Sequence, residues 1–150
     1  MSDLVRDFIE KNAVAAEIIT LPTSTATSKE AAEALRCPLA QIAKSILFLG
    51  DEPVLVVISG DRRVDIGKLS RLLGGQVKIA PADEVKQVTG FSAGGVPPFP
   101  HPQNVKTILD ESITRFDEVY TSAGTSDSLM KIKVSELKRL TRGLVADVSQ

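Results

Sequence analysis

Apolar and polar residues alternate along this chain in short blocks, some with the period of a strand and some with that of a helix. The strand-like blocks predict strands at 17–21, 45–49, 54–59, 77–80, 105–109, 118–122, 129–134 and 144–148. The helical stripes predict helices that start behind Ser2, Thr27, Asp65, Pro81 and Ser135, with helical turns at 39–43 and 112–116. Strands outnumber the crossover helices that a parallel sheet requires. We therefore expect an α+β fold, one domain over residues 1–150, with a curved, mixed, mostly antiparallel sheet and flanking helices.

The predicted hairpin at 45–59 is the centre of this pattern, and Lys44 stands at the start of its first strand. The residues from Ile46 to Leu49 are all apolar, so this strand should be buried on both faces. Side chains alternate along a strand, which places Lys44 on the face of Ile46 and Ser45 on the opposite face. An ammonium group is costly to bury without a partner. Lys44 either extends to solvent from the strand end or serves as a cation in a pocket.

Residues 91–102 cannot form a regular helix or strand, and within them residues 94–98 read Gly-Gly-Val-Pro-Pro. The glycines permit positive φ and a close approach of the backbone to a ligand. The prolines fix the backbone and hold Val96 extended. We expect a stiff loop whose N–H groups at Gly94, Gly95 and Val96 point outward and can hold a carbonyl or an oxyanion. A rigid surface turn would have a similar sequence.

Composition narrows the possible functions. The formal net charge of −1 argues against a broad basic surface for nucleic acid, although it permits a local basic patch or a grip on the end of an RNA. The single cysteine, Cys37, excludes a cysteine-rich metal site, and the single histidine, His101, excludes a multi-histidine centre. The common phosphate-binding and nucleophile motifs are absent from the sequence. An enzyme with this sequence would have to position a reactive substrate and polarise its carbonyl.

The first residues of the chain and the length of its apolar runs indicate where in the cell it is expected. The start Met-Ser-Asp and the lack of a long apolar run predict no signal peptide and no membrane span. We expect a cytoplasmic protein. Its size, with no evident large apolar patch, favours a monomer.

Five short motifs follow one another along the chain. They are Ile42–Phe48, Gly60-Asp61 with Val64-Asp65 and Lys68-Leu69, Thr89-Gly90, Gly94–Phe99, and Ser122–Gly124. Together they closely resemble the YbaK/prolyl-tRNA-synthetase-associated editing domain family, from about Thr25 to Asp147. The resemblance implies an α+β domain that acts in trans and hydrolyses the ester between a wrong amino acid and its tRNA.

The resemblance also implies roles for individual residues. Lys44 matches the family's essential lysine and would act as a fixed charge near the ester or phosphate. Gly94 and Pro98 match the ends of a loop whose backbone helps to hold the aminoacyl carbonyl and the terminal adenosine. No metal or other cofactor is implied. The residues expected to carry the reaction are Lys44, Gly94, Gly95 and Val96, and those expected to bind substrate are Ser45, Thr25, Pro98, Ser122, Ala123 and Gly124.

The implied partners are a mischarged tRNA, held by its 3′ aminoacyl-adenosine end, and a cognate aminoacyl-tRNA synthetase; no membrane is expected. Departures from the family pattern at Pro100-His101 and Thr125–Ser128 leave the amino acid open. It could be Cys, Ala, Ser or another small residue on tRNA(Pro) or a related tRNA. Two alternatives stand beside this hypothesis. One is a module that binds aminoacyl-tRNA or a partner protein without hydrolysis, and the other is a hydrolase of another small ester or acyl adenosine.

Overall fold

A computed structural model describes residues 1–101 and 105–150. Its helices are α1 (Asp3–Lys11), α2 (Ser28–Leu35), α3 (Ile66–Leu73), α4 (Ala82–Thr89) and α5 (Val134–Thr141). Its strands are β1 (Ala16–Thr20), β2 (Ala43–Leu49), β3 (Pro53–Ser59), β4 (Lys78–Ile79), β5 (Lys106–Asp110), β6 (Glu118–Ser122), β7 (Ser128–Lys133) and β8 (Leu144–Ala146). Short 3-10 turns lie at Leu39–Gln41 and Glu111–Arg115.

The strands form two sheets that meet at the start of β2. A five-stranded mixed sheet has the order β4-β2-β3-β5-β8, and an antiparallel sheet has the order β1-β7-β6. An isolated parallel bridge between Ile42 and Tyr120 joins the two sheets. Beyond that bridge β2 and β6, both within the described residues, do not pair. The predicted α+β class with a mixed sheet is confirmed, and the strands are divided between two sheets that separate at this bridge.

The core between the sheets explains why β3 is apolar along its whole length. Val57 on β3 and Leu109 on β5 pack in one cluster with Met130 and Ile132 on β7, and all four are fully buried. The opposite face of β3 is also covered, because Val56 and Ile58 pack against Leu69 of α3 in a second cluster. A strand covered on both faces needs apolar residues at successive positions, which is the pattern that the sequence has.

Several predicted boundaries differ from the structure by one or two residues. Ser135 was expected to cap the last helix, but α5 starts at Val134 and has no side-chain cap. The N–H of Val134 instead donates to the carbonyl of Asp117, so a distant residue satisfies this helix end. The turn expected at 39–43 ends at Gln41, and the last strand ends at Ala146. The irregular segment expected at 91–102 is irregular through His101, and its final residue lies outside the described residues.

Among the described residues, no helix has both the length and the apolar character needed to cross a membrane.

Candidate functional site

A cavity of about 390 Å³ lies where β2 separates from β6. Its wall is formed by the loop before α2, the first turns of α2, the start of β2, the glycine loop and the ends of β6 and β7. Six residues predicted from the sequence line it together: Thr25, Lys44, Ser45, Gly94, Val96 and Ser122. Its volume is in the range of small-molecule binding sites.

One edge of β2 is open in this cavity. The N–H of Gly60 donates to the carbonyl of Ile42 on the β3 side, and the N–H of Ala80 donates to the carbonyl of Leu47 on the other side. Backbone groups alternate in direction along a strand, so those of Ser45 point to the same side as those of Leu47. The strand β4 covers that side only at Phe48 and Leu49. The edge at Ser45 is therefore left to the cavity.

The cavity reaches both faces of β2 around this edge. Lys44 shares a face with Ile42, which packs against α2. Ser45 shares the opposite face with Leu47, which packs against Val96 of the glycine loop. A ligand at this edge would therefore have the lysine on one side and the loop on the other.

Lys44 is half-buried, and its environment changes the affinity of the amine for a proton. Burial lowers the pKa of Lys44, the nearby Arg63 guanidinium lowers it further, and Asp61 opposes the shift. Asp61 itself is held by Arg115, with N–O distances of 2.7 and 3.2 Å. Within the described part of the chain, no carboxylate lies within ion-pair distance of the Lys44 ammonium. Its charge is thus available to an anionic or carbonyl group of a ligand.

The glycine loop presents two backbone donors rather than three. Gly94 has φ +86° and contacts the loop before α2, where an added Cβ would lie 3.1 Å from the Cβ of Ala26. Neither Gly94 nor Val96 has a hydrogen-bond acceptor for its N–H among the residues that the structure describes. The expectation of a free N–H at Gly95 is wrong, because this group donates to the carbonyl of Ser92 at 2.9 Å. A local turn within the loop uses that donor.

The other four predicted residues do not line the cavity. They are Gly95, Pro98, Ala123 and Gly124. Pro98 and Ala123 are buried, and the carbonyl of Ala123 accepts from the N–H of Ser2 at 3.1 Å. Gly95 and Gly124 border a different cavity, of about 480 Å³, behind the loop. These positions support the loop and strand end from behind.

Sequence reasoning missed that α2 itself forms a wall of the site. The Thr27 cap was predicted and is confirmed, since its Oγ1 accepts from the N–H of Glu30 at 3.1 Å. Ser28 and Ala31, in the first turns of the same helix, line the cavity. Gly60 permits the close approach of α2, because a Cβ at position 60 would lie only 2.9 Å from the Cβ of Ser28. The hydroxyl-rich segment before α2 was the only sequence signal for this wall.

The arrangement suits a ligand that carries a carbonyl or an anionic oxygen. A lysine and two loop residues whose N–H groups have no acceptor among the described residues line one cavity, and fixed donors of this kind stabilise charge on oxygen. Within the described residues, no group of three or more His, Cys, Asp and Glu side chains is placed to hold a metal ion.

Comparison with known proteins gives the family. A model of the aminoacyl-tRNA editing domain matches residues 23–140. The uncharacterised protein YwhH of Bacillus subtilis is 32% identical over 127 residues, which cover 83% of this chain and 81% of YwhH. The proline–tRNA ligase of Lactobacillus gasseri is 36% identical over 103 residues, which cover 67% of this chain but only 18% of the ligase.

A solved structure agrees over the whole chain. The crystal structure of a candidate trans-editing enzyme for prolyl tRNA synthetase superposes with a TM-score of 0.92 at 37% identity, covering 100% of this chain and 99% of the other. The resemblance inferred from the five sequence motifs is thereby confirmed. The chain belongs to the aminoacyl-tRNA editing domain family.

Proposed function

We propose that this protein is a trans-acting aminoacyl-tRNA deacylase. It hydrolyses the ester between a small amino acid and the wrong tRNA, tRNA(Pro) or a related one. The observation that carries the proposal is that Lys44, Gly94 and Val96 line one cavity, and that the N–H groups of Gly94 and Val96 have no acceptor among the described residues. Membership of the editing domain family supports the same reaction.

In the proposed reaction, each protein group interacts with a particular atom of the substrate. The N–H groups of Gly94 and Val96 hold the ester carbonyl and stabilise the oxyanion that forms when water attacks. Lys44 holds the phosphate of the terminal adenosine or the developing charge, and it remains protonated throughout. The acyl C–O bond breaks, the 3′ oxygen of the tRNA takes a proton, and the free amino acid leaves. We propose that orientation and charge suffice without a metal ion, because an aminoacyl ester is already reactive.

The relatives suggest how the protein meets its substrate. The chain spans about a fifth of the proline–tRNA ligases that it matches, at 18% of the ligase from Lactobacillus gasseri. We propose that it acts in trans, in the cytoplasm and as a monomer, after a prolyl-tRNA synthetase has mischarged the tRNA. The remaining predicted substrate residues, Thr25, Ser45 and Ser122, surround the aminoacyl-adenosine end.

Deacylation of a small panel of aminoacyl-tRNAs tests this proposal. The panel is Cys-, Ala- and Ser-tRNA(Pro), with Pro-tRNA(Pro) as the cognate control. We expect hydrolysis of at least one mischarged species, and a loss on the order of 10²-fold in Lys44→Ala, as for other groups that stabilise charge during reaction. Lys78→Ala is the matched control, since Lys78 is exposed on β4 of the same sheet and outside the cavity.

The outcomes separate the candidate functions. Full activity in folded Lys44→Ala would contradict the role given to that residue. Binding of aminoacyl-tRNA by the wild-type protein, with no hydrolysis of any species, would instead support a binding module that uses the same cavity.

A further inference from the structure

The hydroxyl groups of the cavity wall differ in whether they already have partners. Thr25 Oγ1 donates to the carbonyl of Ser126 at 3.1 Å, and Thr27 Oγ1 donates to Glu30 at 2.9 Å. Ser122 Oγ accepts from the N–H of Gly124 at 3.1 Å. These three hydroxyls therefore maintain the wall itself.

Two other hydroxyls of this wall, those of Ser28 and Ser45, have no recorded partner among the described residues, and of these two only the Ser45 hydroxyl is buried. A buried hydroxyl without a partner is destabilising, so one that a fold retains requires an explanation. Ser45 lies in the cavity wall, on the face of β2 that Val96 covers. Its Oγ is covered in this rotamer, so a ligand reaches the hydroxyl only when the side chain rotates about χ1. A bound ligand can supply the partner that the protein does not.

We propose that the Ser45 hydroxyl hydrogen-bonds the side-chain hydroxyl of the bound amino acid, so that the site prefers seryl esters to alanyl esters. This rests on the proposed function and names its substrate class, a small hydroxylated amino acid. The carbonyl of the ester is held by the loop donors, which leaves the Ser45 hydroxyl for the side chain that distinguishes one small amino acid from another. A site that hydrogen-bonds a substrate hydroxyl rejects the analogue that lacks it, because its own polar group is then left unpaired.

The chain contains a matched control for this residue. Ser59 Oγ is also buried without a partner among the described residues, and Ser59 lies on the neighbouring strand β3. It pairs with Ala43 in the register of the same sheet but does not line the cavity. Ser45→Ala and Ser59→Ala thus remove a buried hydroxyl at two positions of neighbouring strands, and only the first is expected to affect substrate choice.

The experiment measures kcat/KM for Ser-tRNA(Pro) and Ala-tRNA(Pro) in the wild-type protein and three variants. We expect the wild type to prefer the seryl ester about tenfold, the value of one hydrogen bond. Ser45→Ala should abolish this preference, because it slows seryl hydrolysis about tenfold more than alanyl hydrolysis. Ser45→Thr, which keeps a hydroxyl, should retain the preference, and Ser59→Ala should behave as the wild type.

Equal losses on both esters in Ser45→Ala, or a wild-type preference for the alanyl ester, would overturn the inference. A second measurement separates it from the proposed function. The seryl and alanyl amides of 3′-amino-3′-deoxyadenosine resemble the substrate end and cannot be hydrolysed as esters. Absence of hydrolysis of any tRNA ester would reject the deacylase. Tighter binding of the seryl amide, lost in Ser45→Ala, would still support the role of Ser45, and equal binding of both amides would reject it.

Discussion

At the scale of single residues, the proposed chemistry depends on the charge of Lys44. Two neighbours act on it in opposite senses, since Arg63 lowers the pKa of Lys44 and Asp61 raises it, both against a background of burial that lowers it. Arg115 donates two hydrogen bonds to Asp61 and holds the pKa of that carboxyl below its ordinary value, so Asp61 stays anionic. The pKa of Lys44 therefore depends on two charged residues, Arg63 and Asp61, that do not line the cavity.

Removing each neighbour should move this pKa in a known direction. Arg63→Gln should raise the pKa of Lys44 and Asp61→Asn should lower it, because like charge disfavours and opposite charge favours the ammonium form. Lysine is charged below its pKa, so the loss of activity at alkaline pH should move to higher pH in Arg63→Gln and to lower pH in Asp61→Asn. Titration of the Lys44 ¹³Cε resonance gives the pKa, and background-corrected kcat/KM gives the activity.

A shift of both variants in the same direction would contradict the assigned electrostatics. An alkaline limb that follows neither pKa would show that deprotonation of Lys44 does not limit the reaction.

Gly94 tests whether the loop must contact the segment before α2. Gly94→Ala should cost about 1 kcal/mol or more, because its φ is +86° and the new Cβ would lie 3.1 Å from the Cβ of Ala26 and 3.3 Å from its carbonyl oxygen. We also expect a large loss of deacylation, since the loop must move away from the cavity. Gly74→Ala is the control. Gly74 has φ +75° but nothing within 4 Å of the added Cβ. It should share the backbone strain, measured by urea unfolding, and keep full activity.

At the scale of elements, the width of the cavity depends on how closely α2 approaches the end of β3. Gly60→Ala would place a Cβ 2.8 Å from the carbonyl oxygen of Leu39 and 2.9 Å from the Cβ of Ser28. Something must shift, and we expect a loss of about 1–3 kcal/mol in the free energy of unfolding, as for other overpacked sites. Gly75→Ala, whose nearest atom would be 3.9 Å away, should cost little. Unchanged stability and activity in Gly60→Ala would show that α2 is free to move outward.

The sequence predicted the elements that depend on local patterns. The hairpin of β2 and β3 and the Thr27 cap follow from apolar runs and capping chemistry within a few residues. Three features did not follow from the sequence. The start of α5 depends on a hydrogen bond from Val134 to Asp117, and the cavity wall at Ser28 depends on the approach of α2 to Gly60. The N–H of Gly95 donates to the carbonyl of Ser92 in a local turn, and the sequence is equally compatible with a loop in which this N–H has no partner. Contacts between residues that are far apart in the sequence, or between alternative hydrogen-bond partners, produce no periodic pattern in a single sequence.

At the scale of the whole molecule, the question is whether the two sheets fold as one unit. They pair only at the bridge between Ile42 and Tyr120 within the described residues. Their side chains, however, share one core, in which Val57 of the five-stranded sheet packs with Met130 and Ile132 of the three-stranded sheet. Burial of apolar side chains, rather than strand pairing, therefore holds the sheets together. Each sheet alone would expose the apolar side chains of its inner face to water.

This shared core predicts a single cooperative unfolding transition. Tyr120 is the only tyrosine and the chain has no tryptophan, so intrinsic fluorescence reports the three-stranded sheet at its junction with Ile42, whereas far-UV circular dichroism reports both sheets. The two urea curves should coincide. Met130→Ala, which removes a fully buried side chain between the sheets, should cost about 2–5 kcal/mol and move both curves together. A fluorescence midpoint below the dichroism midpoint would mean that the three-stranded sheet unfolds, or separates at this junction, before the rest. Residues 1–150 would then be two stability units with the cavity at their junction, and opening of that junction would compete directly with substrate binding.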